Sequence, residues 1–144
     1  MTENYDPLRL ENQLCFPLYA SAKKVVHAYT PFLDEIDLTY TQYLVMMVLW
    51  EKGKMSVKDL GNILFLDTGT LTPLLKRIEK KGIINRERDV LDERSVILSV
   101  TAKGVDLREH ALSIPAKVGQ CINISTNEAQ TLYNILYKIL KEGK

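Results

Sequence analysis

The chain has 144 residues, 46% of them hydrophobic and 26% charged, which suits one compact domain with enough apolar material for a core. The longest apolar run, Tyr43 to Trp50, falls far short of the ~18 residues of a membrane span. The N-terminus lacks both a basic region and an apolar signal core, so the expected setting is cytoplasmic. Two distant cysteines, Cys15 and Cys121, do not resemble a secreted disulfide scaffold. With only two histidines beside them, neither a metal nor a cofactor is expected. Net charge is only +1, but it is unevenly spread: within residues 51–104, 7 Lys and 4 Arg against 8 acids give +3, leaving −2 elsewhere. The middle of the chain is the part suited to phosphate.

In chain order, Asp6-Pro7 opens a helix whose apolar stripe (Leu14, Leu18, Ala22, Val25, Tyr29) runs to just before Pro31. Pro17 lies inside that stretch. It should free the Gln13 carbonyl and kink the axis. Thr39 caps a second helix through Trp50, apolar nearly all round and therefore central. Ser56-Val57-Lys58-Asp59 opens a short third helix to about Leu64. After a break at Phe65-Leu66-Asp67, a fourth helix spans Thr68 to Lys80 and is closed by Gly82.

Two extended segments follow, Ile83 to Asp89 and Ser95 to Val100, joined by a charged hairpin tip. Thr101 caps a fifth helix to about Ile122, with Pro115 as a kink or break. Ser125-Thr126-Asn127-Glu128 is a capping box ahead of a last helix carrying Ala129, Leu132, Leu136 and Ile139 on one face. Two short helices followed by a two-stranded hairpin make a winged helix-turn-helix. The expected fold is mainly α with a small β-hairpin wing.

A recognition helix needs small, hydrogen-bonding side chains in its first turns so that it can enter the major groove. Thr68, Thr70 and Thr72 meet that need, while Leu71, Leu74, Leu75 and Ile78 hold the helix to the core. Lys76 and Arg77 can reach phosphates, and Pro73 is read as tolerated within the first turn. On the wing, Arg94 suits a narrow minor groove, and Asp92 is better placed to hold the tip than to face a phosphate. Arg86 and Arg88 complete the basic set. The expected partner is double-stranded DNA.

The segments Phe-Leu-Asp-Thr-Gly-Thr-Leu-Thr-Pro-Leu-Leu-Lys-Arg (65–77) and Asp-Glu-Arg-Ser-Val-Ile-Leu-Ser-Val-Thr (92–101) strongly resemble the MarR family. With Leu-Glu-Asn-Gln-Leu-Cys-Phe-Pro-Leu-Tyr (10–19) and the run from Leu38 to Trp50, the chain resembles the organic-hydroperoxide-sensing (OhrR-like) branch over residues 8 to 142. The resemblance implies one domain, 1–144, with dimerisation helices at 8–38 and 101–144 around a winged core at 39–100. It implies a homodimer on a pseudo-palindromic operator, acting as a repressor. It also assigns Cys15 as the peroxide-reactive thiol, served by Tyr29 and Tyr40 of the partner subunit, with Tyr19 close by. In the two-cysteine type, Cys121 is the resolving thiol.

Geometry supports the partner-subunit part independently. On one continuous helix Cys15 and Tyr29 stand about 21 Å apart and cannot touch within one chain; an antiparallel pairing of two such helices across a two-fold axis could bring them together. Apolar neighbours Phe16, Leu18 and Val26 would favour an organic peroxide. Two other readings compete. One keeps the fold but takes a small aromatic ligand among Tyr19, Tyr40, Tyr43 and Trp50. The other makes the chain a thiol peroxidase, for which the sequence offers no arginine beside a helix-start thiol.

Overall fold

A computed structural model describes residues 3–141; the ends of the expected 1–144 unit, residues 1–2 and 142–144, lie outside the described residues. Two 3-10 turns, Asp6–Leu8 and Leu10–Asn12, precede α1 (Cys15–Asp34) and α2 (Tyr40–Lys52). Then come β1 (Met55–Ser56), α3 (Val57–Leu64), α4 (Thr68–Lys80), β2 (Ile84–Arg88) and β3 (Val96–Val100). The chain closes with α5 (Ala102–Ala111), α6 (Ile114–Gly119) and α7 (Thr126–Lys141).

The helix starts follow from local chemistry. Thr39 accepts from the Gln42 amide while the Gln42 side chain accepts from the Thr39 amide, a reciprocal box at the head of α2. Ser56 caps α3 through the Asp59 amide, Asp67 caps α4 through the Thr70 amide, and Thr101 caps α5 through the Gly104 amide. Ser125 and Glu128 make the expected box before α7. Gly53 ends α2 at φ 74°, a conformation that costs glycine nothing.

The prolines depart from expectation in three places. The first helix begins at Cys15 rather than near Pro7, so Pro17 lies in its first turn, where amides have no intrahelical acceptor. Gln13 is outside the helix, and the expected kink has no cause. Pro31 does not end α1, which runs on to Asp34. There the ring removes the donor to the His27 carbonyl on an exposed face, where water can replace it. Pro73 is beyond the first turn of α4, so the Gly69 carbonyl loses its usual donor. The expected fifth helix is two: the chain breaks between Ala111 and Ile114 beside Pro115, and α6 stops at Gly119.

The wing has three strands in the order β1-β3-β2, all antiparallel. Ile84 faces Val100 and Arg88 faces Val96; the unforeseen β1 pairs Met55 with Leu98 and Ser56 with Ile97. Two residues are too short to carry a period, so only the pairing reveals this strand. The core joins α2 (Tyr43, Val45, Met46, Leu49) to Leu60, Leu71, Leu75, Ile78, Ile84 and Leu98, with Leu33, Ile114 and Val118 closing it on the α1 and α6 side. Lys81, just past α4, donates to Gln42 Oε1 at 2.8 Å and to the Asp37 carbonyl, tying the end of α4 to the turn before α2.

By contrast α7 has no buried residue, and its Leu132, Tyr133, Ile135 and Ile139 are exposed. Leu8 and Leu14, both 80% exposed, make the N-terminal end of the chain equally bare.

Trp50 donates its indole N–H to the Gly104 carbonyl at 2.9 Å, locking α2 to α5. A Cβ at Gly104 would overlap the Ile83 carbonyl oxygen and approach Val100 Cγ1 to 2.6 Å. Gly104→Ala should therefore destabilise the fold by about 2 kcal/mol or more, measured by urea unfolding. An unchanged midpoint would mean that the α5–β3 corner is looser than its packing implies.

Candidate functional site

The candidate recognition surface is a cleft of about 450 Å³ between α4 and the wing, lined by residues including Thr68, Thr72, Arg86, Asp92 and Arg94. Thr68, Thr70, Lys76 and Arg77 are exposed on α4, while Leu71, Leu74, Leu75 and Ile78 are buried beneath it. Asp67 Oδ1 accepts from the Thr70 amide at 2.7 Å, which sets the start of the helix. The Thr72 hydroxyl donates to the Thr68 carbonyl at 2.8 Å, leaving its lone pairs outward as acceptors. Pro73 is exposed beside it.

The basic side chains are not equivalent. Arg86 is engaged: its Nε lies 3.0 Å from Glu79 Oε1 and ties β2 to α4. Arg88 donates to the Glu93 carbonyl at 2.8 Å and so braces the hairpin tip. Asp92 Oδ1 accepts from the Arg94 amide at 3.0 Å, a turn-holding role. Of the basic residues singled out from the sequence, that leaves Arg94, Lys76 and Arg77 without an ion pair among the described residues and able to meet a phosphate or groove. Sequence reasoning missed Ser56 and Lys58, which line the same cleft from the start of α3. A lysine in the first turn of the first motif helix was the available signal.

The second constellation lies along α1. Cys15 is its first residue and exposed. Tyr29 sits near the far end, half-buried, with its ring 4.9 Å from Tyr40 and 5.7 Å from Tyr43; Tyr40 and Tyr43 are 6.4 Å apart. Burial pushes all three phenols above their ordinary value, and neighbouring phenols add to this at Tyr40 and Tyr43. They therefore remain protonated donors through neutral pH. Tyr43, grouped with Tyr40 from the sequence only as a ligand-pocket residue, also joins Tyr29; its signal was the three-residue spacing from Tyr40.

Tyr19 is apart from them, 62% exposed, with Lys23 Nζ 5.2 Å from its ring centroid. Trp50 is committed to α5. One chain therefore does not gather Tyr19, Tyr40, Tyr43 and Trp50 into the aromatic pocket considered from the sequence. Cys121 lies just past α6, exposed, with Sγ 3.5 Å from the Lys117 carbonyl. Lys117 Nζ in turn lies 5.7 Å from the Phe32 ring centroid, at the tyrosine end of α1. Cys15 and Cys121 thus belong to opposite ends of that helix.

Residues 27–110 match the family model described as transcriptional regulator SarA/Rot. The chain belongs to the SarA/Rot family of MarR-like transcriptional regulators. As a member of that family it is a DNA-binding regulator and not an enzyme, which sets the peroxidase reading aside. The organic hydroperoxide resistance transcriptional regulator of Bacillus subtilis (strain 168) is 44% identical over 141 residues, covering 98% of this chain and 96% of that one. Reduced AbfR bound to DNA superposes with a TM-score of 0.78 at 33% identity, covering 94% of this chain and 96% of that one. A mutant MarR from E. coli complexed with operator DNA shares the fold, with a TM-score of 0.82 at 22% identity over 96% of this chain and 99% of that one. The SarA/Rot match spans α2 to β3 whole, so it takes in the entire cleft and both Tyr29 and Tyr40.

The hydrogen bond from the Thr70 amide holds the Asp67 carboxyl below its usual value. A lowered folded value means that the cap is fully present above the ordinary carboxylate range and is lost as pH falls through it. Asp67→Ala should lower the melting temperature at neutral pH, with the gap from wild type closing below about pH 4. A gap that persists in acid would show that the cap does not act through its charge.

Proposed function

We propose that this regulator is a homodimeric repressor that senses organic hydroperoxide through Cys15 and leaves its operator on oxidation. The observation that carries the reading is the split of one reactive site between the two ends of α1. Cys15 starts the helix and the Tyr29–Tyr40 pair sits about 21 Å along it. An antiparallel pairing of two α1 helices across a two-fold axis brings each thiol to the other subunit's tyrosines. Bare apolar surface at Leu8, Leu14, Phe16 and Leu18, and along α7, supports such a partner. Once covered, the same side chains surround Cys15 with apolar contacts that suit an organic peroxide.

The chemistry follows from those groups. The Cys15 thiolate attacks one peroxide oxygen, the S–O bond forms, the O–O bond breaks and the alcohol leaves with a proton relayed through a phenol. The product is a sulfenic acid. The Cys121 thiol of the partner subunit then attacks the oxidised sulfur, forming the S–S bond and releasing water. Two equivalents of cellular thiol reverse it. Oxidation favours a dimer in which the recognition helices no longer match both half-sites, and loss of one half-site removes the gain of bivalency. AbfR, 32–33% identical to this chain, has been solved reduced on DNA, overoxidised on DNA and in a disulfide form; the overoxidised form on DNA supports tying release to the disulfide rather than to oxidation of the thiol alone.

Cumene hydroperoxide at stoichiometric amounts should release the wild-type protein from operator DNA and leave Cys15→Ser bound. Tyr40→Phe should slow thiol oxidation about tenfold or more, since it removes a hydrogen bond to a charged sulfur. Release of Cys15→Ser by the peroxide would overturn the sensor while leaving DNA binding intact.

A further inference from the structure

Val90 and Leu91 are 96% and 95% exposed at the hairpin tip, the barest large apolar side chains among the described residues. They do not sit on a frayed end. Asp89 Oδ1 accepts from the Leu91 amide at 3.0 Å, and the Asp89 amide donates to the Ser95 carbonyl at 2.8 Å. The Ser95 amide donates to the Asp92 carbonyl at 2.9 Å, and Arg88 braces Glu93 from the opposite strand. The turn is therefore built in advance and holds two apolar side chains outward in water.

Resting on the DNA-binding reading, we infer that Val90 and Leu91 are an apolar prow that packs into the minor groove of the operator, against its sugar walls. Three observations select this occupant. The tip is continuous with the candidate interface, since Asp92 and Arg94 of the same loop line the cleft with Thr68 and Thr72. Only the turn, and not the whole two-stranded ribbon, can enter a groove ~6 Å wide, and Val90 and Leu91 stand exposed on that turn. A stable protein interface needs roughly 800 Å² from each partner, far more than two side chains supply.

The carboxylates at the tip do not oppose this placement. Asp89 and Asp92 accept from the turn's own amides, and the Arg88 guanidinium lies at the Glu93 carbonyl. Apolar contacts release no counterions, so this part of the affinity is independent of salt, unlike the part carried by Arg94. It also makes the wing sensitive to groove width at positions where no base is read.

The test uses a duplex selected from random-sequence DNA by the wild-type protein, with binding followed by fluorescence anisotropy from 50 to 300 mM KCl, a range of about the span over which phosphate contacts show their salt slope. The double variant Val90→Ser, Leu91→Ser should bind about tenfold more weakly at every salt concentration, its line parallel to wild type. The swap Val90→Leu, Leu91→Val keeps the apolar surface and should retain binding. Arg94→Ala should instead flatten the salt slope by about one. Serine variants binding within about twofold of wild type, or a loss that vanishes at high salt, would overturn the prow alone. Failure of the wild type to select any duplex would bring down the DNA-binding reading and the prow with it.

Discussion

The constraint on which the rest of this structure depends is the rigidity of α1. A helix holds its residues at 1.5 Å per residue, so a thiol at its first position and a phenol near its last turns are kept apart however the side chains turn. Cys15 and Tyr29 are such a pair, on an uninterrupted helix that absorbs Pro17 in its first turn and Pro31 near its last. Everything reactive in the chain is arranged about this rod. Tyr40 and Tyr43 gather at the Tyr29 end, Cys121 follows α6 against the same end, and Cys15 is left alone at the other. On the proposed reading the chain is half of a site, and a two-fold partner supplies the remaining half.

The same end of α1 is mechanically close to the candidate DNA-facing surface. Gln42 is buried one turn into α2 and shares its side-chain oxygen between the Thr39 amide and Lys81 Nζ. Lys81 closes α4, and its carbonyl accepts from Lys103 at 3.0 Å at the start of α5. The tyrosine cluster, the end of the recognition helix and the return from the wing therefore meet at one joint of directed hydrogen bonds. Apolar packing of Leu71, Leu75 and Ile78 on α2 fixes the distance between these parts, and the joint fixes their orientation.

Much of this was legible because helix ends are local events. Thr39, Ser56, Thr101 and Ser125 each announce a helix through a side chain that can satisfy an amide a few residues on, and each does so in the structure. The fourth helix was readable from its spaced leucines and its closing glycine, whereas its Asp67 cap read only as part of the preceding break. What escaped were features that depend on partners distant in sequence. Strand β1 exists only because β3 passes beside it. Arg86 read as a free cation until Glu79, seven residues earlier, proved to hold it. Pro17 read as a kink because the stripe of apolar residues extends upstream of the true helix start; periodicity continues through 3-10 turns and cannot mark where the α-helical ladder begins.

The measurement that most directly tests the half-site account is oxidation of a mixed dimer. One subunit would carry Cys121→Ser and keep Cys15; its partner would carry Cys15→Ser and keep Cys121. After treatment with one equivalent of cumene hydroperoxide, mass spectrometry under non-reducing conditions should find a covalent dimer joined by a single Cys15–Cys121 bond. A wild-type chain that instead closes its own Cys15 onto its own Cys121, with the mixed dimer remaining two separate chains, would contradict the account, because α1 would have to break for that bond to form.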